Sequence, residues 1–201
     1  MAKYGMVINL KRCVGCNACT IACRGENGTD PGIKWCWVED REIGEYPNVK
    51  RVFLPLLCMH CEEPSCLTVC PTGATYKDEN SVVLVDYDKC IGCKSCILAC
   101  PYKARYFRKK EISYFEGIET PYERIKKKKH SVGVVEKCDF CVDRIKNGAE
   151  PSCVQTCMTK ARIFGDLDDV DSEVFQTLNK RSCISLLKEL GTNPKVFYIL
   201  P

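Results

Sequence analysis

Sixteen of the chain's eighteen cysteines fall into four tight groups, and that grouping constrains the fold more than any other feature. Group one is Cys13, Cys16, Cys19 and Cys23; group two is Cys58, Cys61, Cys66 and Cys70. Group three is Cys90, Cys93, Cys96 and Cys100; group four is Cys138, Cys141, Cys153 and Cys157. Only Cys36 and Cys183 stand outside them. Groups one and three read C-x2-C-x2-C-x3-C, the spacing that wraps an iron–sulfur cubane. Cysteines three apart enclose three corners of the cube and aim backbone amides at its sulfides. The fourth cysteine lies one helical turn further on, so it is carried past that cube and ligates the other cluster of a pair. Pro71 and Pro101, directly after a last cysteine, stop the helix there by disfavouring helical geometry in the residue before them.

Groups two and four depart from this spacing but keep its last step. Group two is C-x2-C-x4-C-x3-C, its widened gap holding Glu62 to Ser65. Group four is C-x2-C-x11-C-x3-C, and its gap, Val142 to Ser152, reads as a short helix ending near Gly148. Pro64 and Pro151 each stand two residues before a third cysteine and shape those loops. All sixteen positions are cysteine, so the expectation is four 4Fe–4S clusters with no three-iron site. Zinc would use C-x2-C pairs such as Cys13/Cys16 and Cys138/Cys141, but it needs two pairs per site. It gives no reason for a third cysteine three residues on, nor for the closing C-x3-C step. A disulfide framework belongs to exported chains. Residues 1–10 show no apolar core or cleavage site of a secretory signal, and no apolar run reaches bilayer length. The expectation is a soluble chain, or one docked on something that is not.

The formal charge of +4 counts every cysteine as neutral. A cubane with four thiolates carries about −2 oxidised and about −3 reduced, so four of them turn the balance negative. The Lys/Arg excess then reads as partial compensation for buried cluster charge rather than as a nucleic-acid footprint.

The groups are also internal repeats. Residues 5–13, GMVINLKRC, and 82–90, VVLVDYDKC, each run from a short apolar strand into a first cysteine, and VVEKC at 134–138 is a shorter echo. After the last cysteine come PTGA (71–74), PYKA (101–104) and MTKA (158–161), each opening another strand-like run: ATY, ARYF and ARIF. The unit is strand, cysteine loop, short helix, strand. Two units make a ferredoxin-like module, and the chain has four. Residues 168–180 read as a helix capped at Asp171 or Ser172, and 183–201 as two short elements joined by the Gly191–Pro194 turn.

The order of the groups, the CMHCEEPSC segment at 58–66 and the CDFC segment at 138–141 resemble the four-cluster electron-transfer (beta) subunit of the dimethyl sulfoxide reductase superfamily of molybdopterin oxidoreductases. Within it, GDLDD (165–169) and PKVFYI (194–199) look most like arsenate, polysulfide and thiosulfate respiratory reductases. The resemblance covers nearly the whole chain apart from an insertion at 106–132. It implies an α+β fold of two ferredoxin-like, double 4Fe–4S modules, one interleaved with the other in sequence. Residues 1–50 with 133–201 would form one module and 51–110 the other, with a basic insertion loop at 111–132. It also implies which groups pair. One cluster would take Cys13, Cys16, Cys19 and Cys157, and its neighbour Cys138, Cys141, Cys153 and Cys23. A third would take Cys58, Cys61, Cys66 and Cys100, and the fourth Cys90, Cys93, Cys96 and Cys70. Met158 departs from the proline expected after a last cysteine.

The function this implies is relay of electrons between a molybdenum or tungsten bis-pterin catalytic subunit and a membrane anchor or redox carrier, in an anaerobic respiratory reductase. No nucleophile, base or phosphate loop stands out, so no catalytic site and no nucleic-acid partner are expected on this chain. The alternative is the iron–sulfur subunit of a formate dehydrogenase or hydrogenase, or a free polyferredoxin. The rival from another class is a zinc-stabilised structural or nucleic-acid-binding protein. Family members often cross the membrane folded with a signal-bearing partner, which implies the extracytoplasmic face; the alternative is the cytoplasm.

Outside the ligand set, His60 reads either as a hydrogen-bond donor tuning a cluster or as a packing histidine. Trp35 and Trp37 read as core or interface residues, and Cys36 and Cys183 as free buried thiols. The basic run Lys126–Lys129 with His130 reads as a solvated loop, or else as a docking contact.

Overall fold

The computed structural model of the chain describes residues 1–201. The apolar run before Cys13 forms β1 (Tyr4–Asn9), and Ala18–Asn27 forms helix α1, which carries Cys19 and Cys23 on its buried side. A hairpin follows, β2 (Cys36–Ile43) and β3 (Lys50–Leu57), paired from Cys36↔Leu57 to Ile43↔Lys50. It crosses the boundary expected at 50/51, so the strand leading into Cys58 pairs with residues of the preceding segment. Next come α2 (Ser65–Thr68), the ladder β4 (Thr75–Lys77) with β5 (Val83–Val85), and α3 (Ser95–Leu98). The insertion is bracketed by β6 (Tyr106–Phe107) pairing β7 (Val135–Glu136), and it contains helix α4 (Pro121–Lys126). The remaining elements are α5 (Val142–Lys146), α6 (Ser152–Gln155), β8 (Arg162–Asp166), α7 (Glu173–Lys180), β9 (Ile184–Ser185) and β10 (Val196–Ile199).

The largest sheet has the order β8-β1-β10-β9; β1 runs parallel to β10 and antiparallel to β8. Its interior alternates faces as a strand must. Met6, Ile8, Val196 and Tyr198 enter the main core, which they share with seven cysteines, while Val7 and Ile199 face Val174 of α7. Elsewhere the sheets are two-stranded. The fold is therefore mixed α/β, with small sheets and short helices, as ferredoxin-like 4Fe–4S domains require. No helix is long and apolar enough to cross a membrane.

The insertion differs from the solvated basic loop that its composition suggests. Thr120 and Glu123 form a reciprocal capping box at the start of α4, with Pro121 at its first turn. Lys126 pairs with Glu26 at 3.2 Å, Lys127 is buried against Glu123 at 3.4 Å, and Lys129 pairs with Asp143. A fully buried Arg108–Asp30 pair at 2.8 Å, with Glu136 at 3.9 Å, fixes the insertion's base to the loop after α1. His130 bridges Glu136 (2.7 Å) and the Asn27 carbonyl (2.5 Å).

Candidate iron–sulfur sites

Four short loops build the sites, and all share one backbone device. The residue just before the second cysteine of each group has a left-handed φ: Gly15 (+69°), His60 (+42°), Gly92 (+68°) and Phe140 (+57°). This reverses the chain between two cysteines so that both sulfurs face inward. Glycine adopts the conformation freely. A Cβ on Gly15 would lie 2.3 Å from the Phe53 ring, and one on Gly92 2.2 Å from the Gly133 carbonyl oxygen, so space and conformation agree there. After the last cysteine a second left-handed residue recurs, Gly73, Lys103 and Lys160, which closes the turn back into a strand. That turn aims amides at sulfur: Thr75 N–H donates to Cys70 Sγ (3.4 Å) and Ala161 N–H to Cys157 Sγ (3.3 Å).

The structure gathers the cysteines across groups. One hollow of about 350 Å³, its mouth included, is lined by Cys13, Cys16, Cys19 and Cys157. Another of about 350 Å³ is lined by Cys58, Cys61, Cys66 and Cys100. A third of about 310 Å³ is lined by Cys70, Cys90, Cys93 and Cys96. Each draws three cysteines from one group and one from another. The other four, Cys23, Cys138, Cys141 and Cys153, are all buried. Asn27 Nδ2 reaches both Cys23 Sγ (3.5 Å) and Cys141 Sγ (4.0 Å). No three of these side chains close on a single ion.

The donor chemistry fits a multiply charged iron cluster. Burial pushes the Cys61 and Cys141 thiols up to about 12, and it also holds Cys23 and Cys138 well above the ordinary thiol value. Such sulfurs are thiolates at neutral pH only beside concentrated positive charge, which iron would supply. Buried cations contribute too: Arg105, Arg162, Lys137 and Lys195 are each under 5% exposed. Arg162 donates to Cys36 Sγ (3.2 Å), Cys19 Sγ (3.5 Å) and Cys153 Sγ (3.8 Å), and Arg105 to Cys66 Sγ (2.9 Å). In the sequence the ARYF and ARIF runs read only as strand starts; their recurrence after a last cysteine is the one signal that marks these arginines.

Cys36 is the buried free thiol expected, but it stands beside two candidate ligands. Hydrogen bonding from Cys36, then the Arg162 charge, holds Cys19 at about 5. Cys183 is only half-buried and lies with the smaller core around α7. Trp35 is buried and Trp37 half-buried. Met158 is exposed in the turn after Cys157, which closes without proline.

His60 packs as one of its two readings has it, and keeps a buried ring nitrogen free for the other. It is fully buried, accepts from Val83 N–H through Nδ1 (3.2 Å), and stacks on Phe140 with ring centroids 3.7 Å apart. Its Nε2 has no partner. The two bulky left-handed residues therefore meet, joining the loop of group two to that of group four. The Gly191–Pro194 turn reinforces this joint: Glu62 and Glu63 N–H donate to the Asn193 and Thr192 carbonyls, and Lys195 N–H to the Met59 carbonyl. Two candidate ligands are exposed, Cys16 and Cys93, in loops that also expose Val14 and Ile21, and Ile91 and Leu98.

Comparison with known proteins agrees with this chemistry. A family described as a 4Fe-4S dicluster domain matches residues 49–116 and 115–167, and a 4Fe-4S binding domain matches residues 10–27. The chain is 45% identical to a subunit of the selenate reductase of Mesobacillus selenatarsenatis, over 98% of this chain and 72% of that protein. It is 40% identical to a putative dimethyl sulfoxide reductase iron-sulfur subunit of Halobacterium salinarum, over 99% and 79%. To the arsenate respiratory reductase iron-sulfur subunit of a Shewanella species it is 37% identical, over 98% and 96%.

Proposed function

The chain belongs to the iron–sulfur, electron-transfer subunits of the dimethyl sulfoxide reductase superfamily, and from that premise we propose that it carries four 4Fe–4S clusters in two cross-ligated pairs. The proposed ligand sets are Cys13, Cys16, Cys19 and Cys157; Cys138, Cys141, Cys153 and Cys23; Cys58, Cys61, Cys66 and Cys100; and Cys90, Cys93, Cys96 and Cys70. The observation that carries this is the set of three hollows of near-equal size, each lined by four cysteines from two groups. When bound, such clusters supply one-electron redox chemistry over a wide range of potentials.

The chain's own residues do the rest. Two ferredoxin-like modules, groups one with four and groups two with three, hold the pairs. His60 and Phe140 exclude water where the modules meet. Exposed Cys16 and Cys93, each among apolar side chains, mark the two ends at which redox partners dock. One partner is a molybdenum or tungsten bis-pterin catalytic subunit; the other is a membrane anchor or a redox carrier. Relatives named for selenate and arsenate reduction favour an anaerobic respiratory reductase as the parent complex. The substrate is turned over on the partner.

Anaerobic purification of the native protein, with iron and acid-labile sulfide measured per chain, tests this. About sixteen of each, with a pterin-bearing subunit co-purifying, is the expected result. Zinc without sulfide would sink it.

A further inference from the structure

Two buried arginines occupy equivalent places in the repeats, five residues after the last cysteine of groups three and four. Arg105 follows Cys100 through PYKA, and Arg162 follows Cys157 through MTKA. In both, a left-handed Lys (Lys103, Lys160) and a buried Ala (Ala104, Ala161) turn the guanidinium inward. Arg105 lines both the hollow of Cys58, Cys61, Cys66 and Cys100 and that of Cys70, Cys90, Cys93 and Cys96. Arg162 lines the hollow of Cys13, Cys16, Cys19 and Cys157, and also reaches Cys153 of the remaining set. Each guanidinium thus stands in the wall between two cluster sites, and each is held by a neutral acceptor there. Thr75 Oγ1 accepts from Arg105 Nη1 at 3.1 Å, and Cys36 Sγ accepts from Arg162 Nη2 at 3.2 Å. Thr75 is itself the repeat equivalent, five residues after Cys70. In group one α1 runs on past Cys23, no turn brings such a residue back, and Cys36 from the hairpin fills the role.

We propose that Arg105 and Arg162 are positioning residues that set the reduction potentials of the two clusters each stands between, one arginine per pair. A guanidinium stays protonated at any working pH. In a buried site, a fixed positive charge favours the more negative, reduced state of both neighbours. It also offsets the repulsion between them when both are reduced. Hydrogen bonds to the ligand sulfurs act in the same direction. This rests on the cross-ligated pairs of the proposed function.

The test is a redox titration of the purified holoprotein with its partners, followed by electron paramagnetic resonance, with iron and sulfide counted in each sample. Arg105→Gln is expected to move the reduction equilibria of both clusters at 58–100 toward the oxidised form by tenfold or more, about 59 mV per tenfold for one electron. Both clusters at 13–23 and 138–157 stay in place, and Arg162→Gln gives the mirror result. Arg→Lys keeps the charge and loses the fork, so it moves both members of its own pair by a few-fold. Should a Gln variant lose clusters, its Lys variant decides. Full iron content with unmoved potentials overturns the inference alone, as does movement of one cluster only or of all four. A wild-type iron count well short of four clusters overturns the underlying reading and the inference with it.

Discussion

The two halves of the molecule hold the same chemistry in different settings. Groups one and four sit on the four-stranded sheet, where Met6, Ile8, Val196 and Tyr198 form an apolar layer, and Val7, Ile199 and Val174 a second. Groups two and three have only the three-residue ladder of β4 and β5 and two four-residue helices. Their buried apolar residues are Leu57, Met59, Ala74, Val82, Val83 and Ala104, and of these Leu57, Met59, Val82 and Ala104 join the core built on the sheet of the first half. The difference teaches that the first half brings a sheet and a core of its own, whereas the second half shares that core and adds little regular structure to it.

Iron removal breaks the comparison most severely. Slow chelation, followed by amide hydrogen exchange, is expected to release residues 58–100 completely while β1, β8 and β10 keep part of their protection. Equal loss in both halves would mean that the sheet has no stability of its own. Next in size is the loss of single ligands. Cys157→Ser is expected to remove or convert the cluster at Cys13, Cys16 and Cys19, and Cys100→Ser the one at Cys58, Cys61 and Cys66. Iron content and the electron paramagnetic resonance spectrum read this out; a change confined to the Cys138 site in Cys157→Ser would rule out cross-ligation.

The joint between the halves gives a sharper test. Phe140→Ala removes a buried ring and costs about 3–5 kcal/mol. Phe140→Gly removes the same ring but suits the φ of +57°, so it should be about 1 kcal/mol less damaging. The rate at which cluster absorbance bleaches in denaturant ranks them, and the reverse order would mean that the left-handed backbone is not strained. Gly15→Ala and Gly92→Ala compare the outer loops at a cost of about 1–3 kcal/mol each. Gly92→Ala should be the worse: its Cβ meets a backbone carbonyl, whereas at Gly15 it meets a ring that can shift. Thermal bleaching midpoints check this.

The smallest effect concerns the insertion, whose ion pairs outside itself all reach the first half. Both His130 ring nitrogens face acceptors, Glu136 and the Asn27 carbonyl, and only the cation can donate to both. Although burial opposes the charge, the Glu136 and Asn27 bonds raise its pKa above the ordinary histidine value. Its stabilisation is therefore full below about pH 6.5 and is lost as pH rises through the elevated folded pKa. Hydrogen exchange at 120–130, corrected for the intrinsic rate, should quicken over that window; in His130→Gln the dependence should vanish.

What is legible in the sequence follows from what chemistry fixes locally. Cluster ligation demands set spacings, so the cysteine groups and the strands flanking them can be read directly; so can helix α7 and the Gly191–Pro194 turn, although the helix read at 168–180 with Asp171 or Ser172 as cap begins at Glu173 and Ser172 makes no side-chain cap bond. The β2–β3 hairpin cannot. CWVEDREI and KRVFLPLL are joined by GEYPNV, which carries no two-residue turn signal, and the second half of β2, Asp40 to Ile43, is exposed and mostly charged. The basic run misleads because its partners lie far off in sequence: Glu26 is 100 residues before Lys126. The contact of His60 with Phe140 is hidden in the same way: the sequence marks His60 by its place between two cysteines, but nothing in it says that Phe140 stands against it.

The sheet order has a further consequence, for how the protein is made. Synthesis runs from the N-terminus, so on the proposed pairing every ligand of the 58–100 pair has emerged by Cys100, long before the chain is finished. Group one is translated first, yet Cys13, Cys16 and Cys19 wait for Cys157, and β1 waits for β8 and then for β10 at the last residues. The half with the smaller sheet is thus ready for iron earliest, and the first-made cysteines are the last to be enclosed. On that pairing biogenesis has a direction built into it: the end of the relay at Cys93 is complete before the end at Cys16.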